Sequence, residues 1–320
     1  MDLLRLIAKK LVGMFIIVTI ASFLLALLTS LLPGDPAELL LAGGGTPDLV
    51  KIVRHELALD RGVFWYWWNW YSHFLRGDFG FYYLNGGTRP ISEVIKSTLP
   101  VSLQLVIYAQ IVALTFSIPL GLVSAYKEGG RFDRIVSSTL FTLVSFPGFA
   151  LALIFSLIFA VQLGWVDPIG YVHPTENLVQ HLKLMILPVA SIAIGLTSSY
   201  TRLLRTDVIA TLKEDYVTMA ASKGISNRRV LWRHVFRPSS TTLLTSAALN
   251  MGGLIGGVVV IETIFVIPGI GYEIFYAIGA RQVIAMQTFI ALISFGYVFF
   301  NTTIDLATNI IDPRTRERRV

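Results

Sequence analysis

Few residues in this chain are placed to do chemistry, and the common reaction patterns are missing. There is no Gly-x-x-x-x-Gly-Lys-Ser/Thr run to cradle nucleotide phosphates, no His-Glu-x-x-His pair and no Gly-x-Ser-x-Gly elbow. The five histidines (His55, His73, His173, His181, His234) show no metal-ligand spacing. With no cysteine in the chain, thiolate sites and disulfides are excluded. What remains is a chemistry of recognition. A basic, polar stretch runs from Asp215 through Tyr216, Ala220, Ala221, Lys223 and Gly224 to Arg228 and Arg229, then through His234 to Pro238. It lies between two apolar runs, each long enough to cross a bilayer, so it offers a membrane protein's surface to something soluble.

The elements that must hold this stretch are membrane helices. Of 320 residues, 54% are hydrophobic and 14% charged, with a mean hydropathy of +0.67. Soluble domains carry about 25% charged residues. The reading is an all-α integral membrane protein. The net charge of +6 belongs to the flanks of apolar runs, which argues for membrane topology and against nucleic acid as a partner.

A helix needs about 20 mostly apolar residues to cross the hydrocarbon core. Six segments meet this: 11–32, 101–125, 136–163, 184–204, 240–266 and 284–310. The first is too long for a signal-peptide core and is read as a retained span. Of the 26 Lys and Arg residues, 18 fall in the N-terminus, 126–135, 202–238 and the C-terminal tail. The remaining 8 fall in the longer opposite set, 33–100, 164–183 and 267–283. The positive-inside rule then puts both termini and the 202–238 loop in the cytoplasm. The chain divides into a cytoplasmic N-terminus with the first span (1–32), an extracytoplasmic region (33–100), a five-helix core (101–310) containing the 202–238 loop, and a cytoplasmic tail (311–320).

Within 33–100, Pro33-Gly34-Asp35-Pro36 ends the first helix and Gly43-Gly44-Gly45-Thr46-Pro47 is a loop. Residues 48–59 read as a short amphipathic helix. The cluster Phe64, Trp65, Tyr66, Trp67, Trp68, Trp70, Tyr71 and Phe74 suits the headgroup zone. A ligand-stacking platform and a docking surface are the other readings. Inside the spans, Gly252-Gly253-x-x-Gly256-Gly257 gives small-xxx-small pairs for close helix packing within the subunit, contact with a second membrane subunit or a pathway lining. Glu262, Asn250 and Asp305 are candidate pathway groups, because polar groups in spans face protein or water. Glu262 lies near enough to a span end to be merely solvated. Pro119 and Pro147 are expected to kink their helices, and Ser145-Phe146-Pro147-Gly148 is a candidate hinge.

The local pattern of the basic stretch is helix, glycine turn, helix. Residues 216–223 form a short helix. Gly224 suits a left-handed C-terminus. Ser226 or Asn227 caps the next helix through His234. Ala220 and Ala221 are small enough for another protein's groove to close over the backbone.

Tyr216-Val217-x-x-Ala220-x-x-Lys223-Gly224 and the Arg-rich helix after it resemble the EAA loop of ABC-transporter permeases, in the form found in oligopeptide and dipeptide importers. Pro33-Gly34-Asp35-Pro36, Leu59-Asp60-Arg61, Gly77-Asp78-Phe79-Gly80, Glu262-Thr263-Ile264-Phe265-x-x-Pro268-Gly269-x-Gly271 and Asp312-Pro313-Arg314 resemble that family's other motifs in order, across nearly the whole chain. Thr218 and Met219 replace the glutamate and first alanine of the signature.

The resemblance implies a type I ABC importer permease of six transmembrane helices, with an extracytoplasmic insertion between the first two. It implies a non-catalytic subunit of the cell membrane that forms half of a pathway for peptides. The implied partners are a second homologous permease, two cytoplasmic ATPases that hold the ATP and Mg, an extracytoplasmic solute-binding protein and membrane lipid. Tyr216, Ala220, Ala221, Lys223, Gly224 and Arg228 become the ATPase-coupling contact. Glu262, Asn250, Gly252 and Gly256 become pathway or packing residues. Oligosaccharides and nickel are alternative cargoes. From other classes, an ion-coupled carrier would need ionisable groups at the bilayer centre and an internal repeat, which are sparse here, and a non-transporting scaffold would need no ATPase.

Overall fold

A computed structural model describes residues 2–31, 35, 37–38, 41, 46–84 and 87–311. Pro33, Gly34, Pro36, Gly43–Gly45 and Asp312–Arg314, on which part of the motif reading rests, lie outside the described residues. So do the tail from 312 and the side chains of Ala221 and Asp305.

The described elements are almost all helical: α1 (Asp2–Ser30), α2 (Pro47–Glu56), α3 (Val63–Leu75), α4 (Ile91–Tyr126), α5 (Arg131–Val144), α6 (Gly148–Phe155), α7 (Leu178–Leu212), α8 (Asp215–Ser222), α9 (Asn227–Gly257), α10 (Val259–Phe265), α11 (Ile270–Gly279) and α12 (Val283–Ile311). Strands β1 (Phe81–Leu84) and β2 (Gly87–Pro90) pair antiparallel, with Tyr82 opposite Arg89.

α1, α4, α7 and α12 are each long and apolar enough to cross a membrane. The other two expected spans are broken helices. α5 and α6 meet at 97° across Ser145–Pro147, and α9 gives way to α10 at Val258. The count is four spans, or six if each broken pair is one. The expected kink at Pro147 is a right-angled break, because proline removes a backbone donor and pushes its predecessor out of the helical region. Pro119 does not interrupt α4, which runs through it.

The chain separates into two compact units. The first holds residues 1–103 and 255–302. Its core is aromatic: Tyr66, Trp67, Trp70 and Tyr71 of α3 pack with Tyr82 of β1, Ile91 of α4 and Phe289 of α12. α2 begins where the Thr46 side chain accepts from the Leu49 N–H and Pro47 sets the first turn. This is the expected amphipathic helix, ending three residues early. The second unit holds residues 104–254 and 303–320. Leu122, Tyr200, Leu204, Val208, Val235 and Leu243 fill its centre. A Cβ added at Gly121 would stand 3.1 Å from Leu204 Cβ, so the absent side chain lets α4 and α7 approach closely.

Candidate functional site

The basic stretch folds as the residue pattern requires as far as the start of α9. That helix, expected to end at His234 with Pro238 closing it, instead continues through Pro238 to Gly257. α8 ends where Gly224 adopts φ +75° and the Ile225 N–H reaches back to the Ala220 carbonyl at 3.4 Å. That is a Schellman-type stop, which satisfies the end of the helix only if one residue is left-handed. A Cβ built on Gly224 would meet nothing within 4 Å. Backbone conformation, and not space, is what demands glycine there. Ser226 adopts the extended cap conformation but makes no side-chain capping bond, and α9 starts at Asn227, whose side-chain amide donates to the Tyr126 hydroxyl at 2.7 Å. This bond anchors the elbow to the end of α4, and nothing in the local sequence announced it.

The two faces of α8 differ sharply. Val217 and Ala220 turn inward and join the cluster of Leu204, Val208, Val230 and Val235. Tyr216, Thr218, Met219, Ser222 and Lys223 turn outward. Ala220 is 7% exposed, so its small side chain serves close packing of the elbow on its own unit and is not part of the outward face. The reason is helical period: Val217 and Ala220 are three residues apart and share one side. Met219, 58% exposed, takes the outward place, beside Tyr216 at the same spacing. Partial burial, reinforced by the Glu214 carboxylate, lifts the Tyr216 phenol above its usual range and keeps it a neutral donor. Its hydroxyl lies 3.4 Å from the His234 carbonyl. Lys223, Arg228 and Arg229 are exposed and give the elbow a positive rim.

Two polar ties hold the helices that carry this elbow. Arg205 of α7 donates through Nε and Nη2 to both carboxylate oxygens of Asp133 on α5, at 2.6 and 2.8 Å. The same carboxylate accepts the Gly129 N–H at 2.9 Å. Deeper in the unit, the Tyr200 hydroxyl joins Gln110 of α4 at 3.1 Å and Asn250 of α9 at 3.2 Å. A cavity of about 580 Å³ opens beside it, lined by Ser199, Tyr200, Arg202, Thr206, Ser246 and Asn250 among others. Asn250, expected as a pathway group, therefore lines a cavity, together with Leu203 and Leu249. Tyr200, Gln110 and Asp133 had not been singled out, because their partners lie 50 to 90 residues away. Tyr200→Phe removes the hub of this network and leaves buried Gln110 with an unmet amide. A loss of about 1–3 kcal/mol of stability is expected, read as a lower denaturation midpoint of the purified protein.

Glu262 is 0% exposed. The expectation that it is merely solvated is corrected: its Oε2 accepts the Tyr272 N–H at 3.1 Å, in the first turn of α11. The carboxyl group thus caps a helix start that has no capping side chain of its own. The Ser102 hydroxyl accepts the Ile270 N–H at 2.8 Å at the same start. A Cβ at Gly271 would fall 2.5 Å from Val259 Cα, and one at Gly269 would collide with the Glu262 carboxylate. The two glycines let the turn fold over this side chain. Gly252 is buried. A Cβ at Gly256 would make ordinary contact with Ile293 Cγ2 at 3.6 Å, in keeping with helix packing.

Residues 117–317 match the family described as binding-protein-dependent transport system inner membrane component. Residues 3–84 match the N-terminal region of the membrane component of such systems. The chain is 34% identical over 311 residues to a Brucella abortus (strain 2308) protein provisionally named as a peptide transport system permease, covering 97% of this chain and 98% of the relative. It is 31% identical over 314 residues to the glutathione transport system permease protein of Salmonella typhimurium, covering 98% of this chain and 99% of the relative.

Proposed function

Because this chain belongs to the family of inner membrane components of binding-protein-dependent transport systems, we propose that it forms half of the pathway of an ATP-driven peptide importer and is driven through the elbow at Gly224. It is a permease subunit and not a catalytic enzyme, and it works with an ATPase and a solute-binding protein. The finer reading is a pair of homologous permeases over two ATPases, which bind the ATP and Mg, with both termini and the elbow in the cytoplasm and the binding protein on the other side. Peptide is the favoured cargo, since the relatives are named for peptides and for glutathione, itself a tripeptide.

The observation that carries the coupling role is the outward face of α8 and its glycine stop. Tyr216 and Met219 offer two large side chains one helical turn apart, ringed by Lys223 and Arg228. Such a knob fits an apolar groove with an acidic rim. Val217 and Ala220, packed into the core of the unit, connect any push on that knob to α7 and α9. Alternating access then needs only that ATP-bound and ATP-free motors hold this knob differently.

The natural absence of cysteine makes the test direct. Met219→Cys, assembled with an ATPase carrying a single cysteine in its groove, is expected to cross-link, and the yield should change on adding ATP. Cysteine at Leu244, exposed on α9 away from the elbow helix, is expected to give none. Absence of cross-linking at Met219 in a transport-competent complex sinks the coupling role.

A further inference from the structure

The aromatic helix α3 was expected at the level of the lipid headgroups. Its packing places it deeper. Trp67 donates through Nε1 to the Ser22 hydroxyl at 3.0 Å, and its ring meets Phe23 edge-on at 5.3 Å. One turn further on, Tyr71 shares a 2.6 Å hydrogen bond with Thr19, and its ring meets Phe15 at 5.9 Å. All four partners belong to α1, within its apolar stretch Leu11–Ser30 of 20 residues. At about 1.5 Å per residue that stretch is about 30 Å long, one hydrocarbon thickness. Ser22 and Thr19 then lie about 12 and 16 Å from its Ser30 end, close to mid-depth. A second pair of bonds fixes the opposite flank. Tyr66 donates to Gln287 at 2.9 Å and Trp70 donates to Thr288 at 3.1 Å, both on α12. They lie about 6–8 Å inside its Val283 end, shallower than Thr19 and still within one leaflet.

The rest of the surface of α3 is divided. Phe64, Trp68 and Leu75 form one stripe with Trp65 at its edge, each about half exposed. No charged residue interrupts it. On another side, Asn69 and His73 line a cavity of about 180 Å³ together with Glu56 and Asp78. The polar groups thus have an aqueous outlet of their own, as polar groups at membrane depth require. The apolar stripe does not share it. The backbone of α3 bonds within the helix, which is the condition for a segment to lie in hydrocarbon.

We propose that α3 is a re-entrant helix sunk into one leaflet, and that Phe64, Trp65, Trp68 and Leu75 lie against lipid acyl chains. The adjoining face of α1 supports acyl chains as the occupant: Phe15, Ile16, Ile20 and Leu24 are also half exposed and wholly apolar. A surface-lying helix would have kept its partners near the end of α1 and not at Thr19.

Single cysteines at Phe64, Trp65 and Trp68, and at exposed Arg61 as an aqueous reference, can be spin-labelled in the assembled transporter in bilayers. All are surface positions, and retained uptake reports intact folding. At 64, 65 and 68, oxygen is expected to relax the label several-fold more than a water-soluble nickel chelate, with the order reversed at 61. Ready access of the chelate at 65 and 68 would mean a headgroup or aqueous position. Poor access of both reagents would mean that a protein subunit covers the stripe. Either result overturns the proposal and leaves the coupling role untouched.

Discussion

Gly224→Val abolishes ATP-driven uptake in reconstituted vesicles while the subunit still inserts and assembles. An L-residue at φ +75° costs about 1–2 kcal/mol, and a β-branched one lies at the upper end or beyond. Because no atom stands within 4 Å of the added Cβ, nothing in the core is disturbed. The strain is relieved by moving residue 224 out of the left-handed region. That breaks the bond from Ile225 to the Ala220 carbonyl and swings α9 away from α8. Gly224→Asn is the informative partner, since asparagine tolerates the left-handed region. It is expected to keep much of the uptake. If the valine variant transports normally, or if both variants fail to assemble, the elbow is not the coupling element.

The second large effect is expected from Asp133→Ala. Removing one member of a buried ion pair leaves the other charge uncompensated, at a cost of about 3–5 kcal/mol. Arg205 keeps some solvent contact, which favours the lower end of that range. The Gly129 N–H loses its acceptor as well. The double variant Asp133→Ala/Arg205→Met is expected to recover part of the loss, because a flexible apolar side chain tolerates the site better than a stranded guanidinium. Denaturation midpoints of the parent, Asp133→Ala, Arg205→Met and the double variant in one detergent give the coupling energy. An Asp133→Ala variant as stable as the parent would show that the pair contributes nothing to holding α5 on α7.

Most of the elbow was legible in the residues, since its determinants are local. Gly224 is recognisable as a left-handed stop because few other residues adopt that conformation without strain. α8 and the start of α9 fall within a few residues of the expected places, whereas α9 runs on through Pro238 to Gly257 where a stop near His234 was expected. The faces of α8 were legible in principle. Val217 and Ala220 lie at helical spacing, and that period assigns them to one side. The choice of which side faces the core needed Leu204, Val208 and Leu243, from helices that the local pattern does not position.

The amino-acid order alone determined that the chain crosses a membrane, roughly where, and that it carries a glycine-stopped basic elbow. Hydropathy over 20 residues and a left-handed cap are short-range properties. Only the tertiary structure decided that α5 and α6 meet at 97°, that Glu262 closes over the start of α11, that Asp133 holds Arg205 and that α3 packs at the depth of Thr19. Each of these joins groups 10 to 72 residues apart, or turns on a break whose angle is set by what packs on either side. Such contacts are selected by how buried surfaces fit together, which the local pattern along the chain does not specify.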